Sequence, residues 1–424
     1  MDLTYEDGAI VLNKGDICDS LKLVILERLK DKVQSKCIYL DLPYYSNIGD
    51  SLIWLGTEEF LKDIGCTCIG KHSKDTFDFR ELSQDCTIIL QGGGNFGDIW
   101  REHQDFRNKV CQTYPKNNII VLPQTIYYKS EELLTSDIEV FNNHKKLTIC
   151  ARDQYSYDLL AGNGYVGDLL LIPDMAFYIN REYLNSMVKE CHKDLLLLSR
   201  NDKEFPSLDT RLTKADFKDW PGLQESGDIA WKYVSTHTGE EIDDFFQNSF
   251  LLERIKEGVA FVSEYKDVYS TRLHVIILRI LLGLDVVPLD NSYGKNLHFI
   301  ETWLKDSSLI KRIDSQSEKE VSVALCYNHR LEEQYNLIRN ISLERDCLKE
   351  TNDIIKKEIL EARQEIFETR NELSSVKKQN NDLAKEIVEL TYRIKKITQK
   401  NRKLKYIAIA CLAVIIGFLV FTFK

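Results

Sequence analysis

The sequence predicts an α/β protein built on two mostly parallel sheets, extended by a helical coiled coil and one C-terminal transmembrane helix. Three observations predict it. Between about residues 36 and 325, short apolar runs alternate with amphipathic helical patterns. Residues 331–404 contain no Gly and no Pro, and their apolar residues step by 3 and 4. Tyr406–Phe423 is an 18-residue run without a charge.

In the first region the candidate strands are Cys37–Asp41, Cys86–Gln91, Asn118–Pro123, Leu147–Cys150 and Asp168–Ile172. Helical patterns fall between most of them, such as Ser51–Asp63 and Asp98–Tyr114. A polar helix at about 181–193 interrupts the series. Candidate strands then resume at Asp194–Ser199, Asp228–Val234, Gly258–Ser263 and Asp285–Leu289, with a helix at Ile242–Lys256. Strand–helix alternation implies parallel sheets with covered faces. The interruption implies two sheets, 36–180 and 181–330, behind an acidic segment 1–35. Ligands of such folds sit in the crevice at the carboxyl ends of the strands.

In 331–404, Ile359, Ile366, Leu373, Ile387 and Ile394 occupy heptad position a, and Ile355, Val376, Leu383, Leu390 and Ile397 occupy d. Asn352, Asn380 and Asn401 also fall at a. Ile at a, Leu at d and an occasional Asn favour a parallel two-stranded coil, hence a homodimer. The rod would be about 100 Å long. The last segment, 405–424, is just long enough for one membrane span. Seven Lys and Arg between Arg393 and Lys405 precede it, with no acidic residue after Glu389. Basic flanks stay in the cytoplasm, so the chain is expected at the cytoplasmic face of the membrane.

A net charge of −10 argues against a general nucleic-acid binder. The eleven cysteines form no CxxC pair and no zinc spacing. Met1–Asp19 is acidic and lacks the apolar stretch of a signal peptide. Free thiols and no export signal both fit a reducing compartment.

Five local patterns carry chemistry. Tyr45-Ser46-Asn47-Ile48-Gly49-Asp50 follows the first strand and opens a helix. A helix N-terminus offers free N–H groups to an anion or hydroxyl. Asp50 is the N-cap of that helix, a functional carboxylate, or both. Next, Gly92, Gly94 and Gly97 formally satisfy G-x-G-x-x-G after a strand. A dinucleotide site also needs a carboxylate at the end of the next strand. None lies between Asp105 and Glu131, so Gly93, Gly94 and Asn95 are read as a loop whose backbone approaches a sugar or phosphate. Arg200 ends the strand at Asp194–Ser199, at the ligand edge. Finally, Ser270-Thr271-Arg272-Leu273-His274 leads into an apolar helix, and Asn291-Ser292-Tyr293-Gly294-Lys295 follows another strand. Arg offers a bidentate fork to phosphate or carboxylate, and His delivers a proton near neutral pH.

These pieces, in this order, resemble the polysaccharide pyruvyl transferase family. The resemblance rests on Asn47-Ile48-Gly49-Asp50, Gly92-Gly93-Gly94, Arg152-Asp153 with Ser156, Pro173-Asp174, Arg200, Ser270–His274 and Asn291–Lys295, and covers about residues 36–305. The coil and tail lie outside the family pattern. The resemblance implies two Rossmann-like domains in a glycosyltransferase-B-like arrangement. It implies transfer of pyruvate from phosphoenolpyruvate to a sugar as a cyclic ketal, with no metal or organic cofactor. It implies that Arg200, Arg272 and His274 contact phosphoenolpyruvate. Chemistry then suggests Arg200, Arg272 and Lys295 for the anions, His274 as acid and Asp50 as base, with Asn47, Gly93, Gly94, Asn95 and Ser292 lining the substrates. A membrane tail would bring such an enzyme to a lipid-linked oligosaccharide. Two other readings stay open: a glycosyltransferase using a nucleotide sugar, and an inactive scaffold.

Overall fold

The computed structural model describes residues 4–6, 9–11, 16–199, 216–237, 239–291, 293–311, 374–397 and 405–422, with single residues at 364 and 369. Arg200 and Ser292 lie outside the described residues. The chain forms two compact units, Met1–Glu333 and Gln334–Lys424.

A short antiparallel ribbon of β1 (Thr4–Glu6) and β2 (Ala9–Val11) precedes α1 (Ile17–Leu29). Asp16 caps α1 by accepting from the Cys18 N–H, and Leu21, Val24, Ile25 and Leu29 are buried at helical spacing. The first sheet contains β3 (Lys36–Leu40), β4 (Thr67–His72), β5 (Cys86–Leu90), β6 (Gly93–Gly97), β7 (Ile119–Tyr127), β8 (Leu147–Ala151) and β9 (Asp168–Leu171). Their order is β4-β3-β5-β7-β8-β9, with β6 on the far half of β7, and every pairing is parallel. Helices α2 (Ile48–Asp63), α3 (Arg101–Thr113), α4 (Glu131–Asn142) and α5 (Gln154–Gly162) make the crossovers. Strands β5 and β8 are buried at every residue, which is why they read as continuous apolar runs.

After the short helix α6 (Arg181–Asn185), a second parallel sheet forms from β10 (Lys193–Leu198), β11 (Asp216–Lys218), β12 (Tyr265–Ser270) and β13 (Val287–Pro288), in the order β11-β10-β12-β13. Its helices are α7 (Leu223–Thr236), α8 (Gly239–Phe245), α9 (Leu251–Ser263), α10 (Leu273–Leu281) and α11 (Lys295–Phe299). Two expected strands are therefore helices. Asp228–Val234 lies inside α7, and Gly258–Ser263 inside α9. In α9 the buried residues Leu251, Ile255, Gly258, Val259 and Val262 step by 3 and 4. A short window over such a run looks like a strand until the preceding turn is included. The true neighbours of β10 are β11 and β12, and the polar sequence Tyr-Lys-Asp-Val-Tyr-Ser of β12 hid it.

One apolar cluster runs through both sheets. It joins α1 and one face of the first sheet to α9, α10 and the second sheet. A second cluster belongs to the first sheet alone, under α3 and α4.

In the second unit, residues 374–397 are helical. Val376, Leu383, Leu390 and Ile397, seven residues apart, are exposed. The rest of the heptad pattern lies mostly outside the described residues. The last helix is Lys405–Thr422. Among the described residues no helix is long and apolar enough to cross a membrane. The expected transmembrane helix is thus overturned, and the membrane-face location and membrane contact that rested on it lose their basis.

Candidate active site

A cavity of about 620 Å³ opens at the carboxyl ends of both sheets. Both lobes line it. The first contributes Tyr45, Asn47, Asp50, Gly94, Asn95, His103 and Arg152, and the second Trp220, Trp231, Arg272, His274 and Lys295. Seven of the residues singled out from sequence, Asn47, Asp50, Gly94, Asn95, Arg272, His274 and Lys295, therefore meet in one place. Gly93 stands just behind, where a Cβ would lie 3.3 Å from Asp50 Oδ1.

The turn before α2 orders the first wall. Asn47, not Asp50, is the N-cap, accepting from the Gly49 N–H at 3.1 Å. Its amide donates to Asp50 Oδ2 at 2.7 Å, so Asp50 is oriented towards the cavity within the first turn. The glycine loop is not a dinucleotide loop. Instead of opening a helix, Gly93–Gly97 forms β6, and α3 starts only at Arg101. Asn95 is held by Gln124 Nε2 at 2.9 Å and Arg107 Nη2 at 2.8 Å. Its side chain thus fixes the loop as well as facing the cavity.

The innermost group is Asp174, fully buried in the turn after β9. It accepts from Arg152 Nη1 at 2.7 Å and stands 3.3 Å from His274 Nε2. Burial pushes its carboxyl up, but His274 and then Arg152 outweigh burial and hold it well below the usual carboxylate range. A permanent anion behind His274 orients the ring. The other face of His274 is pressed on Gly49, where a Cβ would come within 2.3 Å of Nδ1. Only glycine admits this approach.

Three cations line the cavity, two of them beside the glycine loop. A Cβ on Gly94 would lie 3.4 Å from Arg152 Nη2 and 3.5 Å from Lys295 Nζ. Arg272, at the N-terminus of α10, donates through Nε and Nη2 to both oxygens of Asp219, the latter bond at 2.6 Å. Its Nη1 has no partner among the described residues. Among the described residues no group of three or more His, Cys, Asp or Glu is placed to hold a metal ion.

The sequence singled out Arg152 and Asp174 as part of the resemblance without giving them a role, and did not single out Asp219, Asp41 or His103. Arg152 and Asp174 follow β8 and β9 at the ligand edge, which was a usable signal. Asp219 follows β11, a strand that gave no sequence signal.

A cavity shared by two parallel sheets, with three cations and a carboxylate-backed histidine in or beside its lining, has the parts of an enzyme active site. Comparison with known proteins gives the class a family. The polysaccharide pyruvyl transferase model matches residues 47–293. The chain is 31% identical over 296 residues to the putative pyruvyl transferase EpsO of Bacillus subtilis, covering 68% of this chain and 91% of that protein. It is 24% identical over 318 residues to pyruvyl transferase 1 of Schizosaccharomyces pombe, covering 69% of this chain and 76% of that protein. A crystal structure of a functionally uncharacterised Klebsiella pneumoniae protein shares the fold, with a TM-score of 0.50 and 24% identity, over 70% of this chain and 99% of that one. The chain belongs to the polysaccharide pyruvyl transferase family and is a transferase.

Proposed function

We propose that this enzyme transfers pyruvate from phosphoenolpyruvate to a sugar of a bacterial surface glycan, closing a cyclic ketal across two hydroxyls and releasing phosphate. The observation that carries the reading is the convergence of Arg152, Arg272 and Lys295 beside the His274–Asp174 pair in one cavity. Phosphoenolpyruvate carries a carboxylate and, through its ester oxygen, a phosphate on the same carbon, C2, and three cations in one cavity match that charge. His274 is the acid. Its proton goes to the methylene carbon, which leaves C2 electrophilic. A sugar hydroxyl adds to C2, phosphate departs, and the second hydroxyl closes the ring. Asp50 takes a hydroxyl proton. A positioned acid or base contributes about 10²–10⁴-fold in rate. The donor carries its own leaving group, so the scheme needs no cofactor. A lipid-linked acceptor was argued from the membrane span and no longer has that support.

The test is calorimetric titration of the full chain with phosphoenolpyruvate, beside a nucleotide sugar and NAD, with Arg272→Ala as control. Saturable phosphoenolpyruvate binding lost in Arg272→Ala supports the donor site. Binding of the nucleotide sugar without phosphoenolpyruvate would replace this reading with glycosyl transfer.

A further inference from the structure

Beside the cation cluster lies a second set of titratable groups with no role in the scheme above. Asp41 follows β3 and is 1% exposed. It is the one non-glycine residue among those described with a positive φ, at 64°. That left-handed backbone is sparsely used by L-residues, and Asp and Asn tolerate it best. The turn aims the carboxylate inward, where Oδ1 stands 2.7 Å from His103 Nδ1. Arg107 lies 3.9 Å from the other oxygen, and Asn95 Nδ2 donates to it at 3.4 Å. His103 projects from the first turn of α3 and lines the cavity. The Tyr45 ring meets it edge-on at 6.3 Å between centroids. Its Nε2 has no partner among the described residues. A buried carboxylate fixing one ring nitrogen of a cavity histidine, and leaving the other towards the cavity, is the arrangement of a base and its orienting group.

A cyclic ketal consumes two hydroxyls, so two protons must leave the acceptor. A single carboxylate such as Asp50 cannot hold both. We propose that His103, oriented by Asp41, accepts the proton of one of the two hydroxyls of a hexopyranose acceptor. The inference rests on the pyruvyl-transfer reading. The step balances as follows. The acceptor O–H bond breaks, its proton moves to His103 Nε2, and its electron pair forms the bond to C2. The C2–O bond to phosphorus-bearing oxygen breaks, and the departing phosphate takes the proton from His103. The other hydroxyl proton replaces the one that His274 gave to the methylene carbon. Aromatic side chains near this end, Tyr45, Trp100 and the exposed Trp231, offer the apolar faces on which a pyranose ring packs.

Burial pulls His103 down, but Asp41 outweighs burial together with Arg107 and Lys74 and raises it above the ordinary imidazole value. Glu102 and Tyr45 also face this end of the cavity. As a base, His103 works when deprotonated, so turnover rises with pH through that raised value. The experiment follows phosphate release from phosphoenolpyruvate with a pool of nitrophenyl hexopyranosides, in wild type, His103→Gln and Asp41→Asn, with phosphoenolpyruvate affinity measured in each. His103→Gln is expected to lose at least about 100-fold in turnover and to keep its donor affinity within about twofold. Asp41→Asn keeps the left-handed turn, and its acid limb is expected to move to lower pH. A His103→Gln turnover within about fivefold of wild type, or an unmoved limb in Asp41→Asn, overturns the assignment and leaves the donor site intact. Wild-type binding of phosphoenolpyruvate without phosphate release on any sugar of the pool overturns the hexopyranose acceptor and the base with it. No phosphoenolpyruvate binding at all overturns the function itself.

Discussion

The two sheets are made from the same strand–helix unit and are held in different ways. The first has seven strands and its own apolar cluster beneath α3 and α4. The second has four, one of only two residues, and its core is continuous with that of the first. The difference divides the labour of the site. The first lobe carries groups locked by its own hydrogen bonds, such as Asp41–His103 and Arg152–Asp174. The second brings Arg272 and His274 on α10, whose position depends on where the two lobes meet. That seam is tight. A Cβ on Gly49 would strike His274, and a Cβ on Gly258 would lie 2.6 Å from Ile48 Cγ2.

The comparison can be broken most severely at His274. His274→Asn should lower turnover of phosphoenolpyruvate by about 10²–10⁴-fold while donor affinity changes only severalfold, because the cations remain. Asp174→Asn attacks the first lobe instead. It leaves Arg152 buried without its counter-ion, and denaturant titration should show a loss of about 3–5 kcal/mol. The pH dependence has a definite sign. The folded carboxyl lies below its unfolded value, so its contribution is complete above about pH 4 and is lost as pH falls through the folded value. The variant should lose less stability than wild type on acidification below that point. Gly49→Ala sharpens the comparison at the seam. Its methyl must turn the His274 ring from Asp174, and a displacement of that size is expected to cost about 10²-fold in turnover. Gly258→Ala tests the same seam away from chemistry. Overpacking against Ile48 should cost about 1–3 kcal/mol, read as a lower unfolding midpoint, with donor affinity unchanged.

How much could be read beforehand follows the same division. The buried central strands of the first sheet announce themselves as unbroken runs such as Cys86–Leu90. In the second lobe, Gly258–Ser263 and Asp228–Val234 carry apolar residues too short in extent to declare a period, while β12 is broken by Lys266 and Asp267. The apolar tail was read as a span from its uncharged run alone, and among the described residues no helix is long and apolar enough to cross a membrane. At the site, Arg272, His274 and Asp50 were legible because strand ends and helix starts expose their side chains. Asp41 was not, because its role depends on a backbone angle. His103 was not, because nothing in an amphipathic helix distinguishes a histidine on the cavity side. Asp219 requires a strand that sequence did not reveal.

Gly49 and Gly258 have a consequence beyond stability. With backbone on one lobe meeting side chains of the other at both points, the seam leaves no room for a side chain at either glycine. A seam packed this closely sets the span between the cations of the cavity and His103. On the proposed pyruvyl-transfer reading, such a span would act as a ruler that limits which pair of hydroxyls on a glycan can be bridged.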